Sequence, residues 1–157
     1  MLAASIALLM TCSAAFADGH AAALILSNII ISEDKVMGTD QVFEGFVVTV
    51  FDPDAPTGSG WWHWSVFNIP ADVTSLAATT NADAGLPEGA VALKNDYGAV
   101  GFGGACPLAG EMHRYAFTVY ALPTMLELDG SVSNALLGFT TKSQAIASSK
   151  ITAVYHR

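Results

Sequence analysis

Residues 44–70 read "EGFVVTVFDPDAPTGSGWWHWSVFNIP". Residues 44–51, "EGFVVTVF", are β-branched and aromatic, and so short an apolar run suits a buried strand better than a helix. Residues 64–69, "WSVFNI", form a second such run, ended by Pro70, which has no N–H to give to a sheet ladder. Between them "DPDAPTGSGWWHW" (52–64) crowds acids, prolines, glycines, tryptophans and a histidine into what reads as a loop. Strand, Pro/Gly loop and strand predict a β architecture with a chemically rich connection at one end.

The same grammar repeats outward. Residues 113–122, "HRYAFTVYAL", alternate. His113, Tyr115, Phe117 and Val119 fall on one face, and Arg114, Ala116, Thr118 and Tyr120 on the other. "AALILSNIII" (22–31) and "ITAVYHR" (151–157) read as further strands. Residues 71–90 show no period, and "AVGFGGACPLAG" (99–110) is glycine-rich, so both read as loops. Helix is confined to "SNALLGF" (133–139), with Ser133 as its cap and "KSQAIASS" (142–149) as a continuation. The prediction is a mainly β fold, an antiparallel β-sandwich with one or two short helices near the C-terminus.

Composition narrows the function. Hydrophobic residues make up 52% and charged residues 13%, which excludes disorder and supplies one domain with a core. The net charge is −8, with six Lys and Arg in all, so a nucleic-acid partner is not expected. An anionic ligand would have to be held locally, by histidine, arginine or backbone N–H groups.

The chain starts "MLAASIALLMTCSAAFA". The apolar run is too short to span a bilayer, so stable membrane insertion is not expected, and it closes on Ala15-Phe16-Ala17, a signal-peptidase pattern. The expectation is a signal peptide over 1–17, a single domain over 18–157, and a periplasmic or secreted location. No Lys or Arg precedes the run, so Met1 need not be the true start. The alternative is a lipoprotein anchored at Cys12 in "LMTC". Cleavage after Ala17 would leave Cys106 as the one cysteine, with no internal disulfide and with a homodimer allowed.

The loop residues carry the chemistry. Asp52 and Asp54 around Pro53 make an ordinary turn when taken alone. Strict alternation places Trp62 and Trp64 on one face, and Trp61 and His63 on the other. A histidine among aromatics is most often a structural hydrogen bonder. A second histidine, His113, follows the glycine-rich loop, whose N–H groups can form an anion-binding nest. Two imidazoles, a tyrosine hydroxyl and a nest suit a phosphate or carboxylate, with carboxylates orienting the imidazoles and raising their pKa. No cofactor is expected. A metal set of Asp52, Asp54, His63 and His113 is chemically allowed, but no tight histidine spacing supports it. The strand ending in Asp-x-Asp suggests a phosphatase, but the alternating helices of that doubly wound fold are missing. "TGSGW" supplies no serine-hydrolase elbow.

"DPDAPTGSGWWHWSVFNIP", followed by "NDYGAVGFGGACPLAGEMHRYAFTVYAL", resembles the phosphatidylethanolamine-binding protein (PEBP) family, within it the bacterial, secreted, Raf-kinase-inhibitor-like branch. The resemblance covers roughly residues 47–157. It implies an antiparallel sandwich with a small pocket for phosphate or a phospholipid head group, and a role in binding and regulation, including inhibition of a partner protein, rather than catalysis. By motif position it implies ligand-binding roles for Asp52, Asp54, His63, Cys106, Pro107, His113 and Tyr115. Arg114, Trp62 and Trp64 would be structural support, with Arg114 paired to Asp52. One departure stands out. Bacterial relatives carry a segment between "FEGF" and "VVTVFDPDAP", about 20 residues at typical strand and loop lengths. Here Phe46 runs straight into Val47. Unless residues 22–46 re-pair to fill the place, that loss should leave unpaired edges. The competing functions are a hydrolase or lyase using His63 and His113 as acid and base, and a metal-binding protein.

Overall fold

The structure is a computed structural model that describes residues 42–76 and 85–157. The signal-peptide region, Cys12 and the strand expected over 22–31 lie outside the described residues. Five antiparallel strands form one sheet. They are β1 (Gly45–Asp52), β2 (Trp61–Pro70), β3 (Val91–Ala92), β4 (Met112–Leu122) and β5 (Ala147–His156), in the order β3-β2-β1-β4-β5. Among the described residues one helix, α1 (Asn134–Gln144), precedes β5. The mainly β class and the C-terminal helix are as expected. The described residues build one sheet, with α1 and loops packed against it.

The core of β1 is apolar because both of its faces are covered. Phe46, Val48 and Val50 join Trp64, Val66, Ile69, Val119 and Ala121 in one cluster. Val47 joins Phe67, Leu93, Leu122 and the helix residue Leu137 in the other. The Phe46–Val47 junction lies inside β1, which is paired on both sides there. Phe46 faces Ile69 and Ala121, and Val47 faces Tyr120. Residues 45 and 46 are therefore part of β1, and the strand runs unbroken across the junction.

Helix α1 starts where the sequence places it. Ser133 caps it, its hydroxyl accepting from the Leu136 N–H at 3.1 Å. It does not run on through "KSQAIASS". Ala145 has an extended backbone, and its N–H closes the last turn on the Thr141 carbonyl. The chain then enters β5, where Ala147 pairs with Ala121.

Two irregularities in β2 decide how the sheet serves the site. Between the Phe46/Ile69 and Val48/Val66 pairs an extra residue enters β2. Asn68 there has φ 56°, and its side chain both accepts from Leu126 N (2.7 Å) and donates to Leu126 O (3.0 Å). The second shift lies between the Val50/Trp64 and Phe51/Trp62 pairs and leaves His63 without a partner across the ladder. A bulge of this kind puts two successive residues on nearly one face. Trp64 accordingly packs in the Val50 cluster, while Trp62 lies tilted against Phe51, ring centroids 4.6 Å apart, and would meet a Cβ added at Gly138 of α1. This corrects the alternation: Trp62 and Trp64 lie on opposite faces. The tryptophans and His63 also belong to the strand, not to the loop.

Candidate functional site

Asp52 is the last residue of β1, buried to 3% exposure. One carboxylate oxygen accepts the N–H groups of Asp54 (2.8 Å) and Ala55 (3.1 Å), so the Pro-rich turn is built around it. The other oxygen lies 2.7 Å from Nδ1 of His113. Nε2 of His113 lies 3.0 Å from the carboxylate of Glu111. Each ring nitrogen thus faces a carboxylate acceptor, an arrangement that favours the imidazolium. Burial opposes that charge, but the hydrogen bonds and charges of Asp52 and Glu111 outweigh it, and the pKa of His113 is raised above 6.5.

His63 is treated differently. Its Nδ1 lies 2.8 Å from the Gly103 carbonyl, so Nδ1 carries the proton and Nε2 of the neutral ring is an acceptor. Burial lowers its pKa from 6.5 despite that hydrogen bond. The expectation that carboxylates raise both imidazoles therefore holds for His113 alone, because no carboxylate touches His63.

Tyr115 joins the two. Its ring sits 5.2 Å from His63 and 6.5 Å from His113. Burial first, then the charge of Asp52, pushes its hydroxyl pKa well above the ordinary 10.0, so it stays protonated. Tyr97 closes the group, 5.6 Å from His63 and 5.2 Å from Trp61. Within this cluster Trp61 Nε1, His63 Nε2 and Tyr115 Oη are buried without a hydrogen-bond partner.

The glycine-rich loop is held from below. Buried Asn95 donates to Gly101 O (2.9 Å) and accepts from the N–H groups of Tyr97 (3.0 Å) and Ala99 (3.2 Å). A Cβ at Gly103 would come within 2.5 Å of the Tyr97 ring, so only glycine lets the loop lie under that ring and still reach His63. The N–H of Gly103 is already spent on the His63 carbonyl at 2.8 Å. That part of the loop orients His63 instead of forming the expected nest. Pro107 is buried and Cys106 exposed. Cys106 is disulfide-bonded, and Arg157 Nη1 donates to its Sγ at 3.6 Å. The expectation of a lone thiol concerned a chain cut after Ala17, which lies outside the described residues.

Asp54 and Arg114 depart from expectation. Arg114 pairs with Asp54, not Asp52. Its Nε (2.9 Å), Nη2 (2.6 Å) and backbone N–H (2.9 Å) all reach the Asp54 carboxylate. Asp54 thus orients no histidine. The side-chain and backbone hydrogen bonds from Arg114 lower its pKa from 3.8 to about 2. A groove of about 500 Å³ runs along Asp54, Pro56, Glu111, His113, Arg114 and Val154. Among the described residues no three metal-ligating side chains meet closely enough to hold an ion. No described helix is long and apolar enough to cross a membrane.

Trp61, Tyr97 and Glu111 are members of the cluster around the two histidines that the sequence reading does not single out. Alternation does place Trp61 on the face of His63, and both pack against Tyr97. Tyr97 and Glu111 reach the histidines through loops that carry no periodicity.

Residues 33–156 match the model of the phosphatidylethanolamine-binding protein family. The chain belongs to this family. It is 50% identical over 122 residues to the UPF0098 protein YbcL of Escherichia coli, covering 75% of this chain and 67% of that one. Identity to YbhB of the same organism is 45% over 114 residues, covering 71% and 72%. The crystal structure of YbcL, described as a new member of the mammalian PEBP family, superposes with a TM-score of 0.70 at 49% identity over 76% of each chain. A PEBP homologue from Chlamydia trachomatis superposes with a TM-score of 0.63 at 27% identity, covering 80% and 77%. The sheet described above is thus a PEBP sheet, and the His63–Tyr115–His113 cluster lies on a fold shared with these proteins.

Proposed function

We propose that this PEBP chain is an exported binding protein whose pocket, between His63, Tyr115 and His113, takes a phosphate-type anion, free or as a phospholipid head group. The three unpartnered polar atoms carry the reading. Buried polar atoms are nearly always satisfied, so a cluster of unmet ones calls for a guest. Trp61 Nε1 and Tyr115 Oη are donors, while neutral His63 Nε2 accepts. A hydrogen phosphate fits this mixture, since it carries acceptor oxygens and one O–H. A phosphoethanolamine fits as well, its ammonium supplying the donor. The imidazolium of His113 adds a cation in an otherwise acidic protein. Export rests on the Ala15-Phe16-Ala17 pattern, and regulation of a partner protein rests on family membership alone.

Calorimetric titration with inorganic phosphate and with phosphoethanolamine tests the pocket. Binding should weaken as pH rises through the raised pKa of His113, because the cationic donor is lost. It should also weaken in Tyr115→Phe. Equal affinity in wild type and His113→Ala would sink the reading. The opposite biases of the two histidines favour one rival, an acid–base enzyme that binds and then turns over a phosphoester. Turnover of the titrated phosphoester that disappears in His63→Ala would replace binding by catalysis.

A further inference from the structure

We propose that Glu111 is a built-in competitor for the anion, an affinity-setting carboxylate that occupies the donor position on His113 until a ligand displaces it. This inference rests on the anion-pocket reading above. His113 has two ring N–H groups to offer. Nδ1 is committed to Asp52, which is buried and fixed by the turn N–H groups it accepts. Nε2 is the donor left over, and the Glu111 carboxylate already stands 3.0 Å from it. A carboxylate at hydrogen-bond distance from an imidazolium is chemically what a bound phosphate oxygen would be.

The two carboxylates differ in how firmly they are held. The Asp52 side chain is 4% exposed, whereas that of Glu111 is 42% exposed and borders the open groove. The backbone of Glu111 is pinned, with its N–H on Leu108 O (3.0 Å) and its carbonyl accepting from Arg157 N (3.2 Å). Its carboxylate is held by His113. Rotating that side chain into water frees Nε2 without disturbing the strand. An anion entering while Glu111 stays would meet a like charge across the same nitrogen, which raises the free energy of the complex. The residue therefore lowers affinity by holding the donor and by repelling the guest.

The test compares wild type, Glu111→Gln and Glu111→Ala in two measurements. In the ligand-free protein, imidazole resonances of His113 are followed by NMR through a pH titration. If Glu111 holds the ring in solution, both variants lower the titration midpoint of His113, and an unchanged midpoint overturns the proposal. Inorganic phosphate is then titrated calorimetrically. Glu111→Ala should bind about tenfold more tightly than wild type, the gain expected from removing roughly 1.4 kcal/mol of competition. Equal or weaker binding, with wild type still binding, overturns the competitor role and leaves the anion pocket standing. No phosphate binding by wild type or either variant overturns both.

Discussion

His113 faces two carboxylates, Asp52 at 2.7 Å and Glu111 at 3.0 Å, whereas His63, on the other side of Tyr115, faces the carbonyl of Gly103 at 2.8 Å. The first is held as an imidazolium, the second as a neutral ring with an open acceptor. The difference comes from where each sits in the sheet. His113 is the second residue of β4, near the end of β1, where the chain can turn and present a carboxylate. His63 is the extra residue of a bulge, pressed under a glycine-rich loop that offers only backbone. One sheet thus supplies a charged donor and an uncharged acceptor on either side of one tyrosine ring.

The strongest way to break this contrast is to remove Asp52. Asp52→Ala takes away a buried ion-pair partner and the acceptor of the turn N–H groups together. Breaking a buried pair from one side costs about 3–5 kcal/mol, a large share of a domain's stability. Urea unfolding should show a midpoint lowered to match, with His113 titrating lower, toward the behaviour of His63. Asp52→Asn should recover part of the loss, because its amide oxygen still accepts from the turn. A loss below about 1 kcal/mol in Asp52→Ala would mean that the pair behaves like an exposed bridge.

Proton linkage sharpens the contrast further. The pKa of His113 is raised on folding, so its contribution is fully present below the unfolded value near 6.5 and is lost as pH rises through the folded pKa. The pKa of His63 is lowered, so its contribution is present above 6.5 and is lost as pH falls through the folded pKa. A tenfold change in proton affinity on folding corresponds to about 1.4 kcal/mol. Stability against pH should therefore decline on both sides of neutrality. His113→Gln should flatten the alkaline limb, and His63→Gln the acid limb. If both rings titrate on the same side of 6.5, the account of the two environments is wrong.

How much of this can be read from the chain follows from the same geometry. The strands around "VVTVF" and "HRYAFTVYAL" are legible because apolar alternation survives wherever the ladder is regular. His113 and Tyr115 fall on one face, as expected, for that reason. The Trp61–Trp64 run misleads because a bulge adds one residue and reverses the faces beyond it, and bulges leave no mark in a period-2 pattern. The partner of Arg114 is ambiguous between two aspartates two residues apart. Asp52 ends a strand pointing inward, and Asp54 lies past a proline that turns the chain outward. Only the fold separates them. Glu111, Tyr97 and the Asn95 brace depend on loop conformation, which composition alone does not specify.

The smallest expected effect concerns that aspartate pair and separates the rim from the pocket. Arg114 is exposed and its bond to Asp54 is bidentate, so the pair should orient the turn more than it stabilises the fold. Asp54 is nevertheless held at about 2 by the Arg114 hydrogen bonds. A lowered carboxylate pKa gives stability that is present above the unfolded value near 3.8 and is lost as pH falls through the folded one. Arg114→Ala should therefore lower the urea midpoint at neutral pH, only modestly because the pair is exposed, and leave it unchanged near pH 2. It should bring the Asp54 carboxyl titration, followed by NMR, back toward its ordinary range, and remove part of the steepness of unfolding between about pH 4 and pH 2. The His113 titration should not move, since Asp52 and not Arg114 controls it. If Arg114→Ala shifted His113 as strongly as Asp52→Ala does, the rim and the pocket would be one electrostatic unit, and the division between Asp52 and Asp54 drawn from the structure would fail.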